Sequence, residues 1–301
     1  MIITAIKKVL KMILRLFCRV RFAFYRPGKE KHFLAIVVIV KNEETYIREW
    51  LEYHRLVGIS HVYLYDNGST DKTSAYVRPY EKDGFVTKRY FPGRGMQSPA
   101  YNDALRRYGK ECRYMAFIDG DEFLFCVEDG KSVPEVVDEL MNAFPKASGL
   151  ALNWAMFGSS GHLEKPKSGG VLTNYIYRAA AGKPGTDCIK TIVKPAAVFR
   201  YNHPHYPIYM LGGYSVDERG KRVDGWSNPA PDPKKLRVNH YFTKSKEEWI
   251  ARRKLGKCDH KDEKDVRPIE EFYRHDNNDI LDDSMRRYTA LFRKGIGYET
   301  E

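Results

Sequence analysis

The run FLAIVVIV, residues 33–40, is apolar at every position and stops abruptly at the polar residues KNEE, residues 41–44. A short run of this kind, rich in β-branched side chains, is typical of a strand that is buried on both faces in a parallel sheet. The sequence therefore predicts a central strand whose carboxyl end carries polar side chains.

Helices and strands alternate after this run. The predicted elements are a helix over 47–57 that ends at Gly58, a strand over 61–65, a helix capped by Ser69 or Thr70, a strand over 85–91, a helix over 97–108 and a strand over 114–118. Regular alternation of strand and helix predicts right-handed crossovers. The expected fold class is α/β, with a doubly wound, mostly parallel central sheet flanked by helices.

Polar side chains follow the predicted strands at the points where ligands bind in sheets of this class, beyond the carboxyl ends. Residues 41–43 and 66–71 follow the first two strands, and the strand over 114–118 leads directly into Asp119-Gly120-Asp121. Two carboxylates at one strand end are hard oxygen ligands, suited to Mg²⁺ or Mn²⁺ that bridges a diphosphate. The sequence therefore predicts a metal site at this edge.

The second half of the chain mixes helices, short strands and loops. The predicted elements are a helix from a capping box at Ser132 and Glu135 through Phe144, a strand over 150–157, a Gly/Ser turn over 158–162, a mobile loop over 163–187, strands over 189–193 and 197–200, a capped helix over 245–255 and a helix around 282–292. A capping box satisfies two backbone donors at a helix start, which makes the first of these boundaries specific.

Longer motifs across residues 33–256 resemble the GT-A glycosyltransferases related to glycosyltransferase family 92. The motifs are KNE at 41–43, EWLEYH at 49–54, YDNGSTD at 65–71, FIDGDEF at 117–123, WAMFGSSGH at 154–162, KTIV at 190–193 and NHYFTKSKEEW at 239–249. The resemblance implies a GT-A fold and an inverting transfer from a nucleotide-sugar donor, with a UDP-hexose as the default because related enzymes use it.

The resemblance also implies roles for individual residues. The base and ribose of the donor fall to the first strand end and the following loop, which supply Lys41, Asn42, Glu43, Asp66 and Asn67. Carboxylates accept hydrogen bonds from ribose hydroxyls, and an asparagine amide donates or accepts, so the chemistry agrees. For Lys41 a solvated surface charge is the alternative.

The same resemblance assigns Asp119 and Asp121 to the metal, Gly120 to the donor, and His240 to the completion of the metal's ligands. Gln97 and Asn102, on the helix before this strand, are candidates to bind the donor sugar, with ordinary exposed helix polarity as the alternative. The diphosphate is expected to meet Lys244 or Arg253.

An inverting displacement needs a proton acceptor near the attacking hydroxyl, on the side opposite the metal. Asp217 and His162 rank together as candidates for this base. Carboxylate bases are the more usual kind in such enzymes, whereas His162 closes the GSSGH motif. The weaker candidates are Glu164, Asp187 and Glu218.

The chain carries 51 Lys and Arg against 39 Asp and Glu, a net charge of +12. Residues 1–26 hold much of this excess, with no acidic residue, and their apolar residues recur at helical spacing. A basic amphipathic helix of this kind is suited to an anionic membrane surface. The alternatives are a signal peptide, which interrupting charges disfavour, an Arg-rich transit peptide, and a helix packed on the protein's own core.

The five cysteines are scattered without a CxxC pair, which indicates reduced, intracellular thiols. No apolar run is long enough for a membrane-spanning helix. We therefore expect a cytoplasmic enzyme on the inner face of a bacterial membrane. The expected division is a membrane helix over 1–30, a glycosyltransferase domain over 31–256, with nucleotide-sugar and acceptor halves meeting at 130, and a charged helical tail over 257–301.

Three functions are compatible with the sequence. A metal-dependent glycosyltransferase acting on a glycan or lipid-linked acceptor is preferred. A nucleic-acid-binding protein would use the positive charge, but acidic strand ends stand where a basic groove is needed. A hydrolase of nucleotide sugars would use the same metal and differ only in that water, instead of a sugar hydroxyl, attacks.

Overall fold

The computed structural model describes residues 30–229, 233–253 and 268–292. The predicted membrane helix over 1–26 and residues 254–267 and 293–301 therefore lie outside the described residues. The described helices are α1 (Ile47–Leu56), α2 (Thr73–Lys82), α3 (Gln97–Tyr108), α4 (Val133–Ala143), α5 (Val171–Asn174), α6 (Lys246–Arg253), α7 (Ile269–His275) and α8 (Arg286–Phe292). Short 3₁₀ turns occupy Gly109–Glu111 and Pro195–Ala197.

The strands predicted over 33–40, 61–65, 85–91 and 114–118 are present within two residues of those bounds, whereas the strand over 122–126 was not predicted. The described strands are β1 (His32–Val40), β2 (His61–Asp66), β3 (Val86–Tyr90), β4 (Cys112–Phe117), β5 (Glu122–Cys126), β6 (Gly149–Met156), β7 (Tyr177–Arg178), β8 (Ile189–Val193), β9 (Val198–Tyr201), β10 (Pro207–Tyr209), β11 (Ser215–Val216), β12 (Arg222–Val223), β13 (Leu236–His240) and β14 (Ile280–Leu281).

The central sheet has the order β12-β11-β6-β8-β4-β1-β2-β3. Neighbouring strands in the block β4-β1-β2-β3 are parallel, and β8 runs antiparallel to both β4 and β6. All side chains of Leu34–Val38 in β1 are buried, as a strand covered on both faces requires. The predicted α/β class with a mostly parallel central sheet is confirmed.

A short side arm brings the end of the chain's second half to the predicted metal edge. Strand β13 pairs antiparallel with β5 and parallel with the end of β6. In this register His240 lies opposite Glu122 and beside Met156. The late histidine is therefore carried to the Asp119–Asp121 turn by strand pairing.

Helix α1 holds this arm through its EWLEYH motif. Trp50 Nε1 donates to the Glu122 carbonyl and Tyr53 hydroxyl to that of Leu124, each at 2.8 Å. His54 Nε2 accepts the Leu124 N–H, so its Nδ1 carries the proton and donates to the Trp50 carbonyl at 2.8 Å. Burial lowers the pKa of His54 to about 3 and keeps this bridge neutral. The side chains of this motif therefore form hydrogen bonds with the backbone of β5.

The predicted start of the second helix is wrong by two or three residues. Helix α2 begins at Thr73, because the predicted caps are engaged elsewhere: Ser69 Oγ accepts the Asn42 N–H, and the Thr70 N–H donates to Asn42 Oδ1. Asp71 Oδ1 accepts the Thr73 N–H instead. The residues between β2 and α2 thus form a longer loop tied to the end of β1.

The described part of the C-terminal segment packs against the domain. Asp282 Oδ2 receives Arg178 Nε at 2.8 Å and Arg237 Nη2 at 2.7 Å, and Asp276 accepts the Ser159 N–H. Residues 268–292 therefore support the Gly/Ser turn after β6 rather than projecting as a separate tail.

Replacing Asp282 by Ala is expected to destabilise the fold by roughly 3 kcal/mol, since it leaves two largely buried guanidinium groups without their carboxylate. Burial alone would raise the pKa of Asp282, but Arg237 and the hydrogen bonds from Ser284 and Arg178 hold it at about 2. The stabilisation is then complete above about pH 4 and fades as the pH falls through about 2. Denaturant unfolding of Asp282→Ala beside the exposed Asp283→Ala measures this. Equal stability of the two variants would contradict it.

Candidate active site

Asp119 stands directly beyond β4 and is held from two sides. Its Oδ1 accepts from Gln97 Nε2 at 2.5 Å and from the Tyr101 hydroxyl at 3.2 Å. Its Oδ2 receives Lys190 Nζ at 2.9 Å. Desolvation would raise the pKa of Asp119, but Lys190 outweighs it and holds the pKa below its usual value. Gln97, a predicted donor-binding residue, therefore lies beside Asp119.

Lys190 is a residue of this site that sequence reasoning missed. Its side chain is 1% exposed, and its ammonium lies 3.5 Å from Glu122 Oε2 as well as contacting Asp119. Glu122 also accepts the Asp119 N–H, at 2.9 Å. Burial raises the pKa of Glu122, and the surrounding carboxylates raise that of Lys190 despite its burial. The available signal was a lysine inside the apolar strand IKTIV.

Asp121 is 2% exposed and lies between a histidine and an arginine. His240 Nε2 is 3.5 Å from Asp121 Oδ1, and Arg252 Nη1 is 2.5 Å from Oδ2. Burial would raise the pKa of Asp121, but Arg252 and then His240 hold it well below its usual value. The His240 ring also packs on Trp154, with ring centroids 4.2 Å apart. The predicted trio of Asp119, Asp121 and His240 thus lies on one turn and its partner strand.

Helix α6 delivers Arg252 and is anchored one turn earlier. Glu248 accepts from the hydroxyls of Tyr46 and Tyr175, each at 2.5 Å, and from Ser245 Oγ at 2.7 Å. Just before the helix, Lys244 has φ 50° and places its ammonium 4.4 Å from the centre of the Tyr46 ring. Two cations therefore flank this edge of the site. The side chain of Arg253, expected here, lies outside the described residues.

The loops after β1 and β2 are tied together. Asn42 has φ 57°, accepts the Thr70 N–H at 2.8 Å and donates its own N–H to Ser69 Oγ at 3.0 Å. Asp66 accepts the Ser69 N–H at 2.8 Å and the Ser74 hydroxyl at 2.7 Å. The bonds of Asn42 therefore join the carboxyl ends of β1 and β2, and those of Asp66 stabilise the second loop.

The other predicted donor-binding residues at this edge differ in their contacts and exposure. The amide nitrogen of Asn67 donates hydrogen bonds to the carbonyls of Phe91 and Gly93, at 2.9 and 3.0 Å. These bonds join the end of β2 to the end of β3. Lys41 is exposed. A Cβ atom at Gly120 would come within 3.3 Å of Val40 and 3.8 Å of Glu43, so the Asp119–Asp121 turn lies close against the first strand end.

Asn102 is bonded to the backbone of β9. Its amide donates to the Tyr201 carbonyl and accepts the Tyr201 N–H, each at 2.8 Å. It therefore joins α3 to β9, which is a structural role.

The candidate bases lie in different places. Asp217 follows β11, which stands three strands from β4, roughly 14 Å away at the usual strand spacing. Its oxygens accept the Arg219 and Lys221 N–H groups and the Arg219 guanidinium, so it stabilises its own turn. His162 contacts the Asn174 carbonyl through Nε2 at 3.2 Å and packs edge-on against Tyr175. The structure brings neither beside Asp119.

The donor set at the edge suits a divalent ion in kind: two carboxylates and one imidazole are ligands that Mn²⁺ accepts. Asp121 Oδ1 and His240 Nε2 are 3.5 Å apart, close to the roughly 3 Å expected of adjacent ligands on one octahedral ion. However, Lys190 and Arg252 already contact the two aspartates. Over residues 30–229, 233–253 and 268–292, no group of three or more His, Cys, Asp or Glu side chains is arranged to hold a metal.

An α/β domain with a paired-aspartate turn at the carboxyl edge of its sheet has the layout of a GT-A glycosyltransferase. The chain belongs to glycosyltransferase family 92, whose family model matches residues 36–274. This membership agrees with the resemblance that the sequence motifs carry.

Relatives and solved structures match over part of their length. A family 92 protein of Oryza sativa subsp. japonica is 28% identical over 171 residues, 56% of this chain and 28% of that one. One of Ricinus communis is 26% identical over 172 residues, 57% of this chain and 30% of that one. The chain thus spans less than a third of these relatives.

Among solved structures, S. aureus TarS 1–349 in complex with UDP shares 19% identity over 55% of this chain and 47% of that chain, with a TM-score of 0.36. Glucosyl-3-phosphoglycerate synthase from Mycobacterium tuberculosis, in complex with Mn²⁺ and UDP-glucose, shares 17% identity over 43% of this chain and 48% of that chain, with a TM-score of 0.28.

Proposed function

We propose that this chain is a metal-dependent, inverting glycosyltransferase. It moves a sugar from a nucleotide-sugar donor, by default a UDP-hexose, to a hydroxyl of a glycan or lipid-linked acceptor. The observation that carries the proposal is the meeting of the Asp119–Asp121 turn, His240 and the tied β1 and β2 loops at one edge of the sheet.

The chemistry of the residues at this edge suggests which part of the nucleotide sugar each of them contacts. Asn42, Glu43 and Asp66, with Lys41 and Asn67 beside them, take the base and ribose, while Gly120 and Gln97 border the sugar and diphosphate. Asp119, Asp121 and His240 hold Mn²⁺ or Mg²⁺, which when bound neutralises charge that builds on the departing diphosphate. Lys244 and Arg252 supply two further cations toward the same oxygens.

The proton acceptor belongs on the acceptor side, where Asp187 fits better than Asp217. Asp187 precedes Lys190 by three residues, so the chain between them spans at most roughly 10 Å. Its carboxylate accepts the Ser227 hydroxyl at 2.7 Å. Trp226, which precedes Ser227 in sequence, is 48% exposed and offers an aromatic surface on which a sugar ring can stack. His162 remains the second candidate.

Replacing Asp187 by Asn is expected to lower transfer by about 10²-fold or more while donor affinity stays within about twofold, because only proton removal is lost. Asp217→Asn, which alters a turn, is the matched control and is expected to keep turnover. Single-turnover kinetics with donor titration measures both quantities. If Asp187→Asn is fully active and His162→Gln is not, His162 is the base.

Calorimetry with a panel of UDP-, GDP- and TDP-sugars, with Mn²⁺ present, tests the donor. One nucleotide sugar is expected to bind, and duplex or single-stranded nucleic acid is expected not to compete at physiological salt. Tight, salt-sensitive binding of nucleic acid in place of the sugars would favour the nucleic-acid alternative. Release of free sugar without acceptor would favour the hydrolase.

Attachment to a membrane is proposed for residues 1–26, on their charge and helical spacing alone, and would place the enzyme on the cytoplasmic face of a bacterial membrane. No helix among the described residues is long and apolar enough to cross a bilayer.

Full-length protein is expected to bind vesicles that contain anionic lipid, and a chain beginning at Lys29 is expected to lose about tenfold or more of that binding. Added salt should weaken the binding because the attraction is partly screened. Co-sedimentation of both proteins with anionic and neutral vesicles measures this. Equal binding by the two proteins would show that the helix is not the anchor.

A further inference from the structure

The two aspartates expected to hold the metal already have cationic partners. Lys190 contacts Asp119 Oδ2 at 2.9 Å, and Arg252 contacts Asp121 Oδ2 at 2.5 Å. A divalent ion binds carboxylates because they bring uncompensated negative charge to it. Both cations oppose the addition of two further positive charges beside these aspartates, so the free protein holds the ion poorly.

The two cations differ in their freedom to move. The Lys190 side chain is 1% exposed inside β8, and its departure would leave Glu122 as well as Asp119 without a buried counter-charge. The Arg252 side chain is 35% exposed. Its helix is anchored separately by Glu248, one turn earlier, so the guanidinium can leave Asp121 while the helix stays in place.

A nucleoside diphosphate supplies the missing negative charge. Its oxygens suit a guanidinium particularly well, because the planar fork of donors matches them. Lys244, just before the start of the helix, adds a point charge on the Tyr46 side. When ion and diphosphate bind together, Asp121 gains the ion as its partner and Arg252 gains the phosphate oxygens.

We propose that Arg252 is an exchangeable counter-ion of Asp121: it occupies the carboxylate in the free protein and transfers to the diphosphate when metal and donor bind. This rests on the proposed function and adds a positioning residue to it. Metal and nucleotide then bind with positive coupling, which must be reciprocal. The exchange also suppresses metal binding without a donor.

Calorimetric titration of the full chain tests this with Mn²⁺ alone, UDP alone, and Mn²⁺ at saturating UDP. In the unaltered protein, UDP is expected to tighten Mn²⁺ binding by about tenfold or more. In Arg252→Gln, Mn²⁺ alone is expected to bind about tenfold tighter than in the unaltered protein, and UDP more weakly, so that the coupling shrinks. Arg252→Lys should retain part of the coupling, since it keeps the charge and loses the fork.

Arg55→Gln is the matched control, because Arg55, on α1, forms an exposed ion pair with Asp83. It should leave all three affinities unchanged. If Arg252→Gln binds Mn²⁺ alone no more tightly than the unaltered protein, or if neither binds it, the exchange is overturned. Failure of UDP to bind the unaltered protein in the presence of Mn²⁺ would instead count against the proposed function, and the Mn²⁺-only comparison would still decide the exchange.

Discussion

Asp121→Asn is expected to lower sugar transfer by about 10³-fold and to remove its dependence on Mn²⁺, while the fold is retained. Asp121 lies beside both His240 and Arg252. Asparagine keeps its shape but brings no charge to a metal ion. Initial rates across a Mn²⁺ titration measure the loss, and circular dichroism checks the fold.

Asp224→Asn is the control for that variant, because Asp224 forms an exposed pair with Arg222 in the β11–β12 hairpin. It is expected to transfer at the unaltered rate. Turnover that persists in EDTA, or an Asp121→Asn enzyme with the normal metal response, would show that this turn does not hold the catalytic ion.

Lys190→Met is expected to destabilise the protein by roughly 3–5 kcal/mol, the cost of removing one member of a buried charge cluster. The variant leaves Asp119 and Glu122 facing each other without the ammonium that both now approach. Methionine nearly fills the same volume, so lost packing contributes little. Urea unfolding at neutral pH measures the difference.

A second substitution separates charge from packing. Lys190→Met combined with Glu122→Gln should recover about half of the lost stability, because one of the two unpaired carboxylates is then neutral. Lys183→Met is the surface control, since Lys183 is 45% exposed in its pair with Asp279. If the buried and surface variants lose the same stability, the cluster does not stabilise the fold.

The first half of the fold could be predicted because its signals are local. The apolar run of β1, the alternation that follows, and the capping box at Ser132 each depend on residues close together in sequence, and Ser132 and Glu135 form the expected reciprocal bonds. The start of α2 could not be placed in this way. Its alternative caps are bonded to Asn42, which is distant in sequence.

The candidate site was predictable where one motif carried it and not where distant strands meet. The spacing of Asp119 and Asp121 indicates them directly, and the register of β13 places His240 beside them. Lys190 and Arg252 reach the same turn from positions 71 and 131 residues away. The lysine within IKTIV was a local signal for Lys190, but no local pattern pointed to Arg252. Asp217 was favoured for its chemical type. Only the strand order shows that β11 lies at the other side of the sheet.

Transfer of label from a radiolabelled nucleotide sugar tests the central claim most directly. Full-length protein would be incubated with Mn²⁺, a panel of labelled UDP-sugars, and a mixture of glycan and lipid-linked acceptors, with Asp121→Asn in parallel. We expect that label from one donor becomes covalently attached to an acceptor, in an amount equal to the UDP released, and only with the unaltered protein. Label recovered solely as free sugar, or equal transfer by Asp121→Asn, would contradict a metal-dependent transfer at this turn.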